Sequence, residues 1–366
     1  MKHLIYILTI GFLVFSCSSE SDELLEDMTN PNSPIDNENI SEKGYLEFTG
    51  SIQMTDGPTD LLIEGNHLYA VRDNKIFQFS LSNPAIPQKT NEFSLSNSNH
   101  KFGKLSTANG NIYSVGQEDG FVYEFNSQLN LINKYDLAFN TFKPTVLHKD
   151  DQGVFWLGGS NGSNGIIAQY KLMNGQLTLI NYNLISETES NVESIIEQNG
   201  HIITSIANGK LLSFKKDNLQ QVAHFTYQHE EGHEKWGHTI IKHNNKAYWA
   251  NWGAGFATVD ISNPTYFTMT ELLSNSGFKA QYPHAEGTNV YDVAYNAEKN
   301  LLCVANGWSG VLLISPNSPG IVYDFIDPQY FQNRSIETKG NYIYTGNISG
   351  GMSGNMKGIK IFKIKS

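Results

Sequence analysis

Gly65-Asn66-His67-Leu68-Tyr69, Asn109-Gly110-Asn111-Ile112-Tyr113, Gln152-Gly153-Val154-Phe155-Trp156, Asn199-Gly200-His201-Ile202-Ile203, Asn244-Asn245-Lys246-Ala247-Tyr248, Glu298-Lys299-Asn300-Leu301-Leu302 and Lys339-Gly340-Asn341-Tyr342-Ile343 are seven versions of one motif, a polar turn feeding a short apolar strand. Their last residues are separated by 44, 43, 47, 45, 54 and 41 positions, a mean spacing of about 46. Repeats of this length built only from short strands belong to a closed ring of small sheets, the β-propeller.

Each repeat reads as four strands. In the first, Thr59–Ile63 is the inner strand, Leu68–Val71 the second, Ile76–Phe79 the third, and the stretch from Thr90 to Leu95 the outer one. Phe77 and Phe79 alternate with Gln78, the period-two pattern of a half-buried strand. The last repeat stops after its third strand, Ile359–Phe362, so a spare strand is needed there. Gly44–Ile52 supplies one. The expected fold is therefore all-β, a seven-bladed β-propeller of four-stranded blades over 44–366, closed by the N-terminal strand in the last blade.

The chain carries 25 Lys+Arg against 36 Asp+Glu, a formal charge of −11. No basic cluster is present, so a nucleic-acid partner is not expected. The two cysteines, Cys17 and Cys303, have separate uses, and no structural disulfide is expected. Cys303 lies in the apolar run Leu301–Ala305 and reads as a buried, inert thiol.

Residues 1–16 have a basic start and an apolar run from Leu4 to Phe15, too short for a stable membrane-spanning helix and typical of a signal peptide. Val14-Phe15-Ser16-Cys17 resembles a bacterial lipobox, which implies lipidation of Cys17 and a lipid-anchored partner membrane. Phe15 is bulkier than that pattern usually carries, and an ordinary signal peptide with a chance cysteine is the alternative. Ser18-Ser19-Glu20-Ser21-Asp22-Glu23 resembles the export signal of surface-exposed lipoproteins in Bacteroidota; read without that resemblance it is a solvated acidic linker. Residues 17–43 are rich in Asn, Pro, Ser and Glu and read as a disordered acidic tether. The expected location is the outer membrane, facing the cell exterior.

Blade five contains Ala247-Tyr248-Trp249-Ala250-Asn251-Trp252-Gly253-Ala254-Gly255-Phe256-Ala257-Thr258-Val259-Asp260-Ile261-Ser262-Asn263-Pro264, blade six has the related Leu302–Pro316, and blade one has Leu81-Ser82-Asn83-Pro84 after its third strand. This resembles the LVIVD repeat. Blades two, three and four depart from it by lacking the Asp and the Asn-Pro corner. The resemblance implies a propeller at a cell surface and transfers no catalytic residue. Asp260 itself has a structural use, accepting backbone N–H groups in the Ser-Asn-Pro corner that follows.

Candidate ligand-binding residues cluster in the loops of blades five and six that enter the inner strand or join strands two and three. They are Trp236, His238, Asn251, Trp252, Tyr282, His284, Asn306 and Trp308, and three of the chain's 5 tryptophans are among them. Aromatic rings beside Asn and His suit a sugar ring or a peptide; packing at a blade interface is the alternative use of the same rings. Arg72, Lys104, Lys143 and Arg334 are expected on the same face, at the channel or as rim charge. His229-Glu230-Glu231-Gly232-His233 matches the H-E-x-x-H pattern, but it lies between strands and carries Gly232, so a peptidase helix is not expected there. A loop metal site of His229, His233 and His238 is a weaker possibility than a solvated loop. Gly158–Gly165 lacks the Lys-Ser/Thr ending of a phosphate loop and reads as a hairpin. No cofactor or catalytic residue is assigned. The function expected is a binding or scaffolding module for a glycan, peptide or partner protein. The alternative is an extracellular hydrolase or lyase with His238 or His284 as acid/base at the channel mouth, betrayed by carboxylates converging on a His.

Overall fold

The computed structural model describes residues 41–187, 190–227, 236–285, 287–307, 310–326, 332–348 and 357–365. Among these, the strands form seven four-stranded antiparallel sheets arranged as the blades of a propeller ring. Blade one shows the local logic. Asp60–Glu64, His67–Arg72, Lys75–Ser80 and Gln88–Ser94 follow one another from the channel outwards. Gly65 turns the first hairpin at φ 57°, a left-handed angle that glycine adopts without penalty. Leu68, Ala70, Phe77 and Phe79 are buried on both central strands, because each sheet has a neighbour on either side.

A four-stranded sheet this small cannot cover its own two faces. The apolar clusters accordingly sit between blades, and one fills every joint of the ring. Tyr248 and Phe256 of blade five pack with Leu302, Val304 and Leu312 of blade six. Leu61, Leu68 and Phe79 of blade one pack with Tyr344, Ile359 and Ile361 of blade seven. Each fully buried Leu, Ile or Phe contributes about 1.5–3 kcal/mol, so the joints hold the ring. At the seven-to-one joint the backbones also approach closely, since a Cβ on Gly57 would lie 1.8 Å from the Asn347 carbonyl oxygen.

The outer place in blade seven is taken by Leu46–Gln53, which runs antiparallel to Gly358–Ile364 with Phe48 opposite Phe362 and Ile52 opposite Ile359. The residues before this strand bind blade six. The Asp324 carboxylate, fully buried, accepts the backbone N–H groups of Lys43 and Tyr45 at 2.8 Å each and of Leu46 at 3.1 Å. Leu46 is buried against Ile326 and Ile364.

One short helix, Asn275–Gln281, interrupts the pattern. It lies in the connection from blade five to blade six and accounts for the long spacing of 54 residues between their repeats. Ser274 caps it, its Oγ accepting the Gly277 N–H at 3.1 Å.

Asp324→Ala should leave three strand-end N–H groups without their carboxylate and destabilise the fold by about 2–3 kcal/mol. Asp324→Asn, which keeps one acceptor, should cost less. Urea midpoints of the two variants test this, and equal midpoints for Asp324→Ala and the parent chain would refute it.

Candidate functional site

Strand register, continued past the paired residues in blades two and five, places one residue per blade at the same level of the channel wall: Asp60, Lys104, Val146, Ser194, Thr239, Asp292 and Ser335. This layer stitches the inner strands together. Asp60 accepts the Leu105 N–H of blade two at 2.7 Å, and Asp292 accepts the Ile336 N–H of blade seven at 2.9 Å. Ser194 Oγ donates to the Ile240 carbonyl of blade five at 3.3 Å, and Ser335 Oγ to the Pro58 carbonyl of blade one at 3.4 Å. Lys104 does something different. Its Nζ reaches across the ring from blade two and donates to Thr239 Oγ1 of blade five at 2.8 Å.

The channel is acidic around this lysine. Burial raises the Asp60 carboxyl to about 7, with Lys104 opposing the shift. Burial raises Asp292 in the same way, and raises Glu337 well above the ordinary range, where the charges of Asp292 and Asp60 add to the effect. Glu193 is raised by burial too, while Lys104 and a bond from Asn191 at 2.6 Å pull it back. The sequence reading missed these four acids. Their signal was a carboxylate beside apolar or β-branched residues of an inner strand, as in Asp60-Leu61-Leu62-Ile63 and Asp292-Val293-Ala294.

One residue upstream, at the mouth, consecutive blades present Glu193, His238, Tyr291 and Arg334. The His238 and Tyr291 rings are 5.1 Å apart, and the Arg334 guanidinium lies over the Tyr291 ring at 5.0 Å. His238 is half-buried at the mouth, with protein on most of its sides. That burial, with Lys104 and Arg334 nearby, lowers its imidazole to about 3, so it is neutral at physiological pH.

The expected constellation is only partly assembled. His238 lies at the mouth, and Asn251 and Trp252 lie at the blade five–six joint beside it. Trp252 adopts φ 38° and its backbone N–H and C=O exchange hydrogen bonds with Val290 of blade six at 2.8 and 3.0 Å. It is thus a bridge between blades. Asn306 is also structural. Its Oδ1 accepts the Asn289 N–H at 2.5 Å and its Nδ2 donates to Gly287 at 3.0 Å. Two assignments to the loop rim are corrected. Tyr282 is buried at the end of the helix against Phe278 and Phe325, its hydroxyl bonded to the Val322 carbonyl at 3.2 Å. His284 stacks on Phe325 of the outer strand and pairs with Glu42 at 2.7 Å, so it is at the edge of blade six and not at the channel. Trp236 is half-buried just before His238. Trp308, His229 and His233 lie outside the described residues, as does Cys17. Among the described residues, no group of three His, Cys, Asp or Glu side chains is placed to hold a metal ion.

Of the four cations expected nearby, Lys104 and Arg334 face the channel, whereas Arg72 is paired with Asp56 at 2.7 Å and Asp73 at 2.9 Å. Lys143 is exposed. Cys303 is fully buried, and burial pushes its thiol up to about 12, as befits an unreactive core residue.

Asn251 and Asn306 occupy the same position in adjacent blades, but Asn251 is fully buried and, among the described residues, neither of its side-chain atoms is bonded. Trp252 Nε1 and Asn289 Oδ1, in the same joint, are also buried without a partner. Single unbonded atoms are also buried elsewhere in the ring, Thr204 Oγ1, Ser213 Oγ, Trp249 Nε1 and Thr258 Oγ1 among them, but this joint holds four, and many other buried groups are well served. Glu124, for example, accepts from Tyr113 at 2.5 Å, Tyr135 at 2.6 Å, Asn133 at 2.8 Å and Asn111 at 2.9 Å. Unused hydrogen-bonding capacity on this scale costs about 1–3 kcal/mol per group and marks a place where a partner is missing.

His238 has a pH signature. Its folded value lies below the unfolded 6.5, so the unfolded chain binds the extra proton and stability falls as pH drops from 6.5 towards about 3. The buried acids act in the opposite sense, so the comparison must be with a variant. His238→Gln should lose less stability over that interval than the parent chain, read from urea midpoints; parallel profiles would contradict this.

Residues 243–273 match the family model of the LVIVD repeat. Within them, Asp260 Oδ1 accepts the Ser262 N–H at 2.8 Å and Asn263 Oδ1 the Thr265 N–H at 3.0 Å, which forms the corner after the third strand. No curated protein matches the chain. Among solved structures, Raptor from Chaetomium thermophilum aligns with TM-score 0.65 at 11% identity, over 87% of this chain and 28% of that one. A streptogramin B lyase aligns with TM-score 0.63 at 11% identity, over 88% and 98%. The computationally designed Ika8 protein aligns with TM-score 0.55 at 14% identity, over 85% and 98%. Likeness at this identity speaks for the fold alone. The chain is a seven-bladed β-propeller that carries an LVIVD repeat in its fifth blade.

Proposed function

We propose that the propeller is a binding module that receives part of a glycan, peptide or partner protein at the channel mouth, over the joint of blades five and six. The observation that carries this is the contrast between Asn306, with both side-chain atoms bonded, and Asn251, with neither. A buried carboxamide, an indole N–H and a second carboxamide oxygen in one joint await bonds that a ligand, or loops rearranged around a ligand, can make. Beside them, the Tyr291 ring lies between His238 and Arg334, offering an aromatic face, a neutral imidazole and a guanidinium in one row.

The rival reading is a hydrolase or lyase. It draws support from the carboxylates of Glu193, Asp292 and Glu337 around the channel that His238 enters. Against it stands the chemistry of His238, because an imidazole lowered to about 3 is a poor general base near neutrality. The solved propeller lyase shares the fold and lends no residue to this argument.

Tryptophan fluorescence titrated with panels of oligosaccharides and short peptides tests the proposal. Arg334→Ala and Trp252→Phe should each weaken binding by about tenfold, the equivalent of one lost hydrogen bond to a charged or buried group. Affinity unchanged in both variants removes the site, and turnover of any panel member would transfer the argument to the enzyme.

We also propose that Cys17 carries the lipid that holds the propeller at a membrane surface. The basic and apolar N-terminus and the lipobox-like Val14–Cys17 support this. Among the described residues, no helix is long and apolar enough to cross a membrane. Palmitate labelling in a bacterial host should be lost in Cys17→Ser; labelling that persists would exclude that attachment point.

A further inference from the structure

At the opposite end of the ring from the channel mouth lies a cleft of about 420 Å³. Its walls are the turn between the first two strands of blade five, the corner after that blade's third strand, and the two corresponding loops of blade six. His243, Asn245, Lys246, Asp260, Asn300 and Asn317 line it, and Tyr248 is its buried floor. The size falls within the range of about 300–1,000 Å³ common to small-molecule sites.

The polar groups are held in place by bonds that leave their donors free for a guest. Tyr295 donates its hydroxyl proton to Asn300 Oδ1 at 2.9 Å, which orients the Asn300 amide N–H₂. Gln198 Nε2 donates to Asn245 Oδ1 at 3.0 Å and orients that carboxamide in the same way. The Tyr248 hydroxyl is committed to the Pro316 carbonyl at 3.2 Å. His243 lies against the Tyr295 ring with centroids 3.9 Å apart, which gives one wall a flat, backed face. Among the described residues, the Lys246 ammonium makes no ion pair or hydrogen bond; after the Ser262 bonds, its charge also helps to lower the Asp260 carboxyl.

We infer that this cleft binds a neutral saccharide, a hexose unit or two of an oligosaccharide. Three features of the lining select that class. One ammonium and one carboxylate balance, so neither an anion nor a cation is favoured. Carboxamides and a carboxylate together offer both donors and acceptors, as hydroxyl groups require. A flat ring face accommodates the apolar side of a pyranose. A metal ion is excluded as the occupant by the single carboxylate, and an apolar ligand by the polar lining. The site is separate from the channel mouth, so the two stand or fall independently.

Saturation-transfer NMR and calorimetry with cellotriose, maltotriose, laminaritriose and tri-N-acetylchitotriose provide the test, with galacturonate trimers and short peptides as the charged and non-sugar arms. At least one neutral trisaccharide should bind saturably, with transfer to its ring protons. Asn300→Asp keeps the left-handed turn and the acceptor for Tyr295 but removes the donor, and should weaken binding by about tenfold. Asn245→Asp should act similarly. Absence of saturable binding by every neutral sugar overturns the inference. So does preference for the peptides or the acidic sugar, or affinity unaltered in both Asn variants.

Discussion

Apolar burial between neighbouring sheets is the constraint from which the rest follows. Each blade has four strands and two apolar faces, and each face is dry only when another blade lies on it. Trp249 and Val259 of blade five are buried against Ile203 and Leu211 of blade four, while Tyr248 and Phe256 face blade six. No blade is a stable unit alone, so the chain must run around the ring until the first joint meets the last. Closure is then a matter of the same currency. Leu46 and Phe48 join the apolar cluster between blades six and seven, and a fully bonded Asp324 holds the approach to that strand.

Packing of this kind leaves the inner strands close together with few apolar atoms to spare, and polar chemistry takes over there. Hydroxyl and carboxylate side chains at one register position bond the backbone of the next blade, so the same residues that define the channel also hold it. Asp60 and Asp292 are therefore structural ligands of Leu105 and Ile336 before they are anything else. Groups with capacity left over gather on the blade five–six joint: Asn251, Trp252 and Asn289 at one end, and Lys246, Asn245 and Asn300 at the other.

The architecture was legible because a turn followed by an apolar strand repeats with little change, and period-two patterns do not depend on distant residues. The site was legible only where a side chain's direction follows from strand position. His238 sits where its strand puts it. Tyr282 and His284 do not, because the Ser274-capped helix carries them away from the channel mouth, and its capping Ser and the extra residues between repeats were the available clue. Trp252 looked like an exposed ring because nothing in sequence announces a left-handed residue that bridges to Val290. The acids of the channel were missed for a different reason. A lone Asp in an apolar strand is ordinary on an edge, and only the ring geometry shows that all such edges meet.

Lys104 spans the hollow at the centre, from blade two to Thr239 of blade five. A side chain laid across the bore like a crossbar ties blade two to blade five through a single hydrogen bond, independently of the joints between neighbours. The two proposed sites lie at opposite ends of the ring with this bar between them, so a guest at one leaves the other open.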